Sequence, residues 1–388
     1  MNVAQIETRH CDAGWRNYHF VRLTTEDGTV GWSEYDEHQG AYGVTAVIER
    51  LEERVVGQSV MDVELIYQRS LARARQSMSG VMAMAIGAVE NAILDAKAKV
   101  LGVPCYDLLG GKVRDAVRVY WSHCGTWRIG IPQIYGNAIT DIGGVKALGA
   151  EVRDRGFTAL KTNIFDYSNG KPRGWAPGFG RPFGPDQNVP RHILRDIRRH
   201  LEAFREGAGP DVDLLLDLNF NAKTEGYLEI VRAIADLDMF WIEIDSPSPE
   251  GLATIRSRSP HPISSCETLI TTEAFLPYLR AQSMDVAIID AVWNGIWQSM
   301  KIASCAAAHQ VNVAPHNYYG HLATMMNAHM AAAVPNLRIM ETDIDRIPWD
   351  GELFTASPDI RDSHLHLSDT PGWGTEPDEA GLAKHPVR

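Results

Sequence analysis

The sequence predicts a mixed α/β fold, a (β/α)7β barrel of the TIM type with a smaller α+β capping domain. Six polar residues each follow a short apolar run, and the first two intervals, 26 and 24 residues, fit one strand plus one helix. These residues are Asp217, Glu243, Glu267, Asp290, His316 and Glu341. Because the carboxyl ends of parallel barrel strands meet at one rim, we expect the six side chains to converge there.

The first part of the chain has a different pattern from the rest. The segment HFVRLTTEDGTVGWSEY reads as two strands joined by a turn at Asp27 and Gly28. The alanine-rich segment 81–102 is apolar on most faces, which predicts a buried helix that ends at Gly102 and Pro104. Strands and helix together indicate an α+β domain.

Three segments follow from this change of pattern. We predict a capping domain over residues 1–120, a barrel over 121–345 and a C-terminal segment, 346–388, that returns to the capping domain. A stripe of apolar residues predicts a helix over 191–206. The stretch 166–190, rich in Gly and Pro, is a long loop on the catalytic face, and we expect it to contact either substrate or a neighbouring subunit.

The overall composition excludes several classes of protein. With 37 basic and 49 acidic residues, the net charge of −12 argues against binding to nucleic acid or to an anionic membrane. The N-terminus lacks the apolar region of a signal peptide, and no apolar run approaches the roughly 18 residues of a membrane span. Five scattered cysteines without a CxxC pattern suit a reducing compartment. We therefore expect a cytoplasmic protein.

The predicted rim carries chemistry beyond ordinary burial. Three converging carboxylates repel one another strongly unless a hard divalent cation neutralises them, which predicts a magnesium-type site. The second barrel strand ends in LKTN, so Lys161 and Asn163 alternate onto the same side. Asn219 likewise shares a side with Asp217, two residues before it.

Short motifs extend through nearly the whole chain. They are DGTVGWSE and AILDAKAKVLGVPCYDLLGG in the first domain and LKTN, LLDLN, WIE, SSCE, IIDAVWNG, APH and IMET in the barrel. Together they resemble the enolase superfamily and, within it, the mandelate racemase subgroup. The resemblance implies that Asp217, Glu243 and Glu267 bind one Mg²⁺. It also implies that His316 is a base oriented by Asp290.

The same resemblance implies roles for two further side chains. Lys161 is expected to contact the substrate carboxylate, and Glu341, in its protonated form, to donate a hydrogen bond to it. Loss of a proton α to a carboxylate leaves a dianionic aci-carboxylate, so a divalent cation and an ammonium supply the countercharge that this species needs. An enolase-type site of this kind is a known pattern for such chemistry.

One position departs from the subgroup and affects the predicted reaction. Asn163 stands where the subgroup usually has a second Lys, and a neutral amide cannot abstract a proton. His316 is then the visible base, which suits dehydration rather than two-base racemisation. We therefore predict an acid-sugar dehydratase that converts an aldonate or aldarate to a 2-keto-3-deoxy acid, with Asn163 hydrogen-bonded to a substrate hydroxyl or to its carboxylate.

Other functions remain open at this point. One alternative is a cycloisomerase or an epimerase of the same superfamily. Epimerisation would need a second base, for which Asp166 and Tyr167 are candidates just beyond the second strand. A third hypothesis is a barrel that has lost catalysis and acts as a binding protein. The intact set of carboxylates, Lys161 and the His316–Asp290 pair argues against it.

Substrate specificity is expected to come from loops. The candidate substrate-binding residues are Trp15, Arg16, His19, Tyr35, Arg173, Arg181 and Asn219. Loop 35–42 of the first domain belongs to the same group, and the two guanidinium groups of the long loop suit a distal carboxylate. The resemblance also implies a homo-oligomer, either a dimer or an assembly of dimers. The HxH pair His364 and His366 is expected to be structural or solvent-facing.

Overall fold

The computed structural model describes residues 1–38, 41–72 and 75–387. The first domain opens with an antiparallel sheet of Val3–Asp12, Asn17–Thr25 and Val30–Tyr35. The last two strands form the predicted hairpin, and Gly28 in its turn has φ of 87°, a conformation that favours glycine. The strand Val3–Asp12 was not predicted from the sequence.

Helices cover one face of this sheet. The predicted buried helix spans Gly80–Leu101 and ends at Gly102, whose φ of 70° permits the left-handed helix cap. Asp95 of this helix is fully buried and accepts hydrogen bonds from the backbone of Trp32 and of Trp373, at 2.8 and 2.9 Å. The domain's other helical segments are Val44–Val55, Val63–Leu71, Arg75–Met78 and Cys105–Leu108.

Eight parallel strands in the described residues form the barrel, which confirms the predicted fold class. Neighbouring strands pair in register around the sheet, and an isolated bridge between Val313 and Leu337 links the seventh strand to the segment before the eighth. The strands are Ala116–Ser122, Ala159–Thr162, Asp213–Asp217, Trp241–Glu243, Ile263–Ser265, Val286–Ile289, Asn312–Pro315 and Met340–Asp343.

A helix follows each of the first seven strands. These helices are Ile142–Asp154, Arg191–Ala208, Thr224–Ala233, Pro249–Arg258, Thr272–Arg280, Ile296–Ala308 and His321–Ala333. Shorter helices at the strand ends are Thr126–Gly130, Pro132–Tyr135 and Ala291–Asn294. The second of the seven contains the predicted segment 191–206, so that prediction is confirmed.

The barrel interior is filled below the rim. Tyr120 and Trp241 are almost fully buried there, with their rings edge to face at a centroid distance of 5.7 Å. The Trp241 indole donates upward to Glu243 Oε2 at 3.2 Å, and the Lys161 ammonium lies 5.5 Å from the Tyr120 ring. The aromatic layer therefore forms the floor on which the polar residues of the rim stand.

Two irregular segments contain structure that the sequence did not indicate. The stretch after the second strand is not structureless, because Phe165–Asp166 and Arg173–Gly174 form a small hairpin and Pro177–Phe179 a 3₁₀ turn. The C-terminal segment also joins the barrel as well as the capping domain. Its strands Asp359–Arg361 and His364–His366 extend the sheet beside the start of the first barrel strand.

The rest of the tail contacts the first domain. The Trp373 indole donates to the backbone oxygen of Trp32 at 3.0 Å, and the backbone oxygen of His385 accepts from Asp12 at 2.8 Å. The remaining tail elements are Asp350–Glu352 and Glu379–Lys384. Among the described residues, no helix has the length and apolar character needed to cross a membrane.

The first two barrel helices touch at glycine. A methyl group at Gly207 would lie 1.9 Å from the backbone oxygen of Lys146 and 3.0 Å from the backbone nitrogen of Ala150. Because only backbone movement can relieve this overlap, we expect Gly207→Ala to lower the free energy of unfolding by about 3 kcal/mol, despite the better helix propensity of alanine. Denaturant unfolding monitored by circular dichroism measures this loss.

A matched control separates packing from propensity. At Gly351, in the 3₁₀ turn of the tail, an added methyl group meets no atom within 4 Å. Gly351→Ala should therefore change the unfolding free energy by less than about 1 kcal/mol. Equal stability of the two variants would contradict the close helix contact.

Candidate active site

Lys161 lies at the centre of the rim. Its ammonium group is 3.2 and 3.1 Å from the two carboxylate oxygens of Glu243, 3.7 Å from Asp217 Oδ2 and 2.9 Å from Glu341 Oε1. The side chain is 2% exposed. Burial alone lowers the pKa of Lys161, but Glu243 and Glu341 outweigh it and raise the pKa well above its usual range. The ammonium is therefore a fixed positive charge that links the second strand to the third, fourth and eighth.

Two of the three predicted metal carboxylates, Asp217 and Glu243, pair with this charge, and Glu267 lies near Glu243. Asp217 and Glu243 sit opposite each other in the register of the third and fourth strands, and Glu267 follows the fifth strand after two residues. Burial, together with Asp217 and Glu267, raises the pKa of Glu243 well above its usual range, although Lys161 opposes the shift. The carboxylates thus form one electrostatic cluster.

A fourth carboxylate belongs to the cluster and was missed in the sequence. Asp245 is 6% exposed, and neither of its carboxylate oxygens has a hydrogen-bond partner in the described residues. Burial and the neighbouring Glu267 raise its pKa well above the usual range. The signal was its position two residues after Glu243, but the apolar run had already ended there.

The donor set fits a hard divalent cation in its chemistry. In the part of the chain that the structure describes, no three His, Cys, Asp or Glu side chains form a ready-made metal site, since Asp217 and Glu243 are directed at the Lys161 ammonium. Oxygen donors of carboxylates are nevertheless the ligands that Mg²⁺ prefers. Asp245 and Glu267 lie close enough together to raise the pKa of Asp245, and a bound divalent cation would relieve this crowding of carboxyl groups.

His316 and Asp290 form the predicted pair. His316 Nδ1 lies 2.7 Å from Asp290 Oδ2, and the same oxygen accepts the Tyr319 hydroxyl. The other ring nitrogen, Nε2, lies 3.6 Å from Glu267 Oε2 and 3.9 Å from Glu341 Oε2. The imidazole therefore has one nitrogen held by a carboxylate and the other directed into the cluster, as a base or acid requires.

Glu341 differs from the expectation that it is a protonated donor. Its oxygens accept hydrogen bonds from the Ser122 hydroxyl, the Lys161 ammonium and the backbone nitrogen of Asn317. Burial raises the pKa of Glu341, but Lys161, His316 and His123 outweigh burial and lower it below its usual range. Glu341 therefore accepts hydrogen bonds and holds Lys161 in this structure, and its donation to a substrate carboxylate stays a prediction.

The asparagines of the rim are held by protein groups. Asn163 lies one residue beyond the second strand, and its side-chain oxygen accepts the Thr126 hydroxyl at 2.7 Å. Asn219 has φ of 45°, and its backbone oxygen accepts the Tyr227 hydroxyl at 2.8 Å. The amide nitrogen of Asn163 is the atom left for a substrate.

Asp166 and Tyr167, the candidates for a second base, bind other groups. The Tyr167 hydroxyl is hydrogen-bonded to His200 Nδ1 at 2.6 Å, and burial raises the pKa of Tyr167 above its usual range. Asp166 accepts from the backbone of Ser168 at 2.8 Å and lies 3.8 Å from His192. Neither group is directed at the Lys161 cluster, so they do not supply the second base.

The first-domain loops meet the barrel above the rim. A cavity of about 450 Å³ is lined by Trp15, Arg16, His19 and their neighbours. Arg16 is 9% exposed, and its guanidinium donates to the backbone oxygen of Tyr318, two residues after His316. The same guanidinium lies 4.9 Å from the Trp15 ring and 4.6 Å from the Tyr318 ring. Arg16 thus connects the cavity to the predicted base.

Other predicted substrate contacts are less directly placed. Tyr35 is 2% exposed with its hydroxyl 2.7 Å from Thr45 Oγ1, so it packs behind the cavity. Arg173 and Arg181 are exposed, and Arg181 is close enough to His38 to lower its pKa, although burial is the larger cause. In the predicted loop 35–42, positions 39 and 40 lie outside the described residues.

Sequence profiles of known families match both parts of the chain. Residues 145–381 match the family described as enolase C-terminal domain-like. Residues 6–110 match the N-terminal domain of mandelate racemase and muconate lactonizing enzyme. The matched ranges cover most of the capping domain and the barrel from the second strand onward, with most of the tail.

Individual relatives cover nearly the whole chain. A D-galactonate dehydratase family member of Streptomyces bingchenggensis is 29% identical over 96% of this chain and 90% of the relative, and a D-xylonate dehydratase of Haloferax volcanii is 27% identical over 99% and 89%. A crystal structure from Burkholderia xenovorans strain LB400 is 59% identical, with a TM-score of 0.98 over 99% of this chain and 96% of that one. That protein carries the provisional name L-alanine-DL-glutamate epimerase and is bound to magnesium and fumarate. The chain belongs to the mandelate racemase and muconate lactonizing enzyme group of the enolase superfamily.

Proposed function

We propose that this protein is a Mg²⁺-dependent acid-sugar dehydratase. The main support is the His316–Asp290 pair, in which His316 Nδ1 lies 2.7 Å from Asp290 Oδ2. This pair lies at the same rim as Lys161 and the carboxylate cluster. A base that lies beside a buried ammonium and several carboxylates suits removal of a proton α to a substrate carboxylate. Substrates of this class are aldonates and aldarates.

The residues divide the chemistry as follows. His316 Nε2 takes the α-proton while Asp290 holds Nδ1 and stabilises the imidazolium that forms. Lys161, fixed by Glu341, offers its ammonium to the developing dianion of the substrate carboxylate. Mg²⁺ held by Asp217, Glu243 and Glu267 would supply further countercharge at the same carboxylate.

Dehydration is favoured over epimerisation by the second strand. Asn163 is a neutral amide whose oxygen is occupied by Thr126, so it cannot remove a proton from the opposite face. Three relatives, named D-galactonate dehydratase family member, D-gluconate dehydratase and D-xylonate dehydratase, support the same reaction class. Asn163 then serves as a donor to a substrate hydroxyl.

An epimerase is the second candidate, and one observation favours it. The 59% identical Burkholderia protein carries an epimerase name and binds fumarate, a dicarboxylate, together with magnesium. Epimerisation leaves the substrate mass unchanged, whereas dehydration releases one water and a 2-keto-3-deoxy acid. Product analysis therefore separates the two.

The test is a panel of acid sugars with Mg²⁺. D-Galactonate, D-gluconate, D-xylonate and galactarate are incubated with the purified protein, and 2-keto acid formation is followed by semicarbazide absorbance and mass spectrometry. We expect at least one of them to lose one water. In D₂O, recovered substrate should keep its α-configuration. Rapid formation of the α-epimer would contradict the dehydratase assignment. Epimerisation of an L-alanyl-glutamate dipeptide without formation of any 2-keto acid would contradict it as well.

Mg²⁺ binding has its own measurement. We expect Mg²⁺ to raise the thermal unfolding midpoint of the wild-type protein, since it binds the folded state alone. Glu243→Gln should lose most of this increase because one carboxylate of the cluster is neutralised. Glu206→Gln, at an exposed pair with Lys146, is the matched control and should keep it. An unchanged Mg²⁺ response in Glu243→Gln would exclude Glu243 as a ligand.

A further inference from the structure

A second histidine–aspartate pair stands at the rim and has no role in the chemistry described so far. His123 follows the first barrel strand, and its Nδ1 lies 2.9 Å from Asp343 Oδ1 on the eighth strand. The other oxygen of Asp343 accepts the Trp127 indole at 3.3 Å. The imidazole lies against the Trp127 ring at a centroid distance of 4.6 Å. Asp343 and Trp127 thus fix the ring in the way that Asp290 fixes His316.

This pair faces the same site as His316. Ser122 Oγ lies 3.2 Å from His123 Nδ1 and also donates to Glu341, the carboxylate that holds Lys161. Both imidazoles pack against Tyr318, with centroid distances of 5.2 Å for His316 and 6.1 Å for His123. The eighth strand, which carries Glu341, separates the two histidines around the rim.

The remaining nitrogen of His123 is available for proton transfer. Within the described ranges, Nε2 of His123 makes no hydrogen bond, and the side chain is 16% exposed. The backbone of His123 has φ of 46°, which is uncommon for a residue other than glycine. The turn that follows is closed by a hydrogen bond from the backbone nitrogen of Thr126 to the backbone oxygen of His123. When Nδ1 is bound to a carboxylate, a protonated imidazole presents its second proton at Nε2.

We propose that His123 is a second catalytic residue, the general acid that protonates the departing β-hydroxyl. This inference rests on the proposed dehydratase function. His316 takes the α-proton, and the electron pair of that C–H bond forms the new C=C bond. The C–O bond at the β-carbon breaks, and the proton from His123 Nε2 joins the leaving oxygen, which departs as water. Solvent then reprotonates His123 and takes the proton from His316, and the enol becomes the 2-keto acid.

A separate acid removes a constraint on the reaction. If His316 alone performed both transfers, the α-proton and the β-hydroxyl would have to leave from one face. His123 follows the first strand and His316 follows the seventh, so base and acid come from different parts of the rim. The inference therefore predicts that α-proton removal and hydroxyl departure respond to different substitutions.

The test compares two leaving groups. His123→Gln and wild-type enzyme are assayed with Mg²⁺ on the aldonate of the panel that the wild type dehydrates fastest, and on its 3-deoxy-3-fluoro analogue. Fluoride leaves without a proton, so the analogue does not need the acid. We expect His123→Gln to lose a factor of about 10²–10⁴ with the hydroxyl substrate and to stay within about threefold of wild type with the fluoro substrate.

Two further measurements complete the design. Exchange of the α-proton in D₂O, which depends on His316, should persist in His123→Gln. His366→Gln, at the opposite end of the first strand from the rim, is the control and should leave both rates unchanged. Thermal unfolding midpoints of all variants report on the fold.

Each outcome has one meaning. Equal losses with hydroxyl and fluoride would overturn the acid role and make His123 structural, and wild-type dehydration by His123→Gln would also overturn it. Loss of α-proton exchange in His123→Gln would make His123 a base at the α-carbon instead. If the wild type releases no 2-keto acid from any acid sugar, the proposed function itself fails, whereas the preceding results overturn only the role of His123.

Discussion

Replacing His316 by Asn should reduce dehydration on the order of 10⁴-fold while the fold and Mg²⁺ binding persist. His316 is the base at the rim whose Nδ1 is held by Asp290 and whose Nε2 is directed toward Glu267 and Glu341. An asparagine amide preserves the hydrogen bond to Asp290 but cannot take a proton. The α-proton of the substrate should therefore stop exchanging with D₂O.

The measurement combines turnover with exchange. Formation of 2-keto acid and loss of the α-proton signal in D₂O by NMR are followed for wild type and His316→Asn, with the Mg²⁺-induced shift of thermal unfolding as the reference for an intact site. His309→Asn, whose ring contacts the backbone of Cys305 on an outer helix, is the matched control. Undiminished exchange in His316→Asn would remove His316 from the role of base.

Much of the site could be predicted because it depends on strand spacing. The intervals between Asp217, Glu243 and Glu267 match one strand plus one helix, and a parallel barrel places such residues at one rim whatever the loops do. The His316–Asp290 pair followed for the same reason, because the two residues end neighbouring strands. Regular geometry therefore carried these predictions.

The ionisation of Glu341 could not be read in the same way. It depends on the Ser122 hydroxyl and the Asn317 backbone nitrogen, which approach from different strands, and on the distance of 2.9 Å to Lys161. Crowding of negative charge suggested a protonated group, yet these three donors favour the ionised form. The balance is set by contacts between distant segments.

The pair formed by His123 and Asp343 was missed for a related reason. The apolar run of its strand ends before Ser122, so His123 does not directly follow an apolar run as the predicted rim residues do. Its partner is 220 residues away in the sequence. Only the closure of the barrel between the first and eighth strands brings them together.

Lys161→Met should destabilise the metal-free protein by about 3–5 kcal/mol and abolish dehydration. The ammonium is the positive charge that the structure places among Asp217, Glu243 and Glu341, and it is 2% exposed. Methionine has a similar shape but leaves the buried carboxylates without their countercharge. Chemical unfolding in EDTA measures the loss. Lys146→Met, which removes a half-exposed surface pair, is the control and should cost less than about 1 kcal/mol.

Addition of Mg²⁺ makes this prediction specific. If Mg²⁺ binds the carboxylates that Lys161 also neutralises, the cation should stabilise Lys161→Met more than it stabilises wild type, by the differential affinity that linkage requires. At a Mg²⁺ concentration of 100 times its Kd, the gain in unfolding free energy is about 2.7 kcal/mol, enough to offset much of the stability lost with Lys161.

A Lys161→Met protein as stable as wild type in EDTA would show that the carboxylates do not depend on the ammonium. Equal Mg²⁺ stabilisation of both proteins would show that lysine and metal act on separate groups. The two countercharges can in this way be told apart, although they meet at one rim.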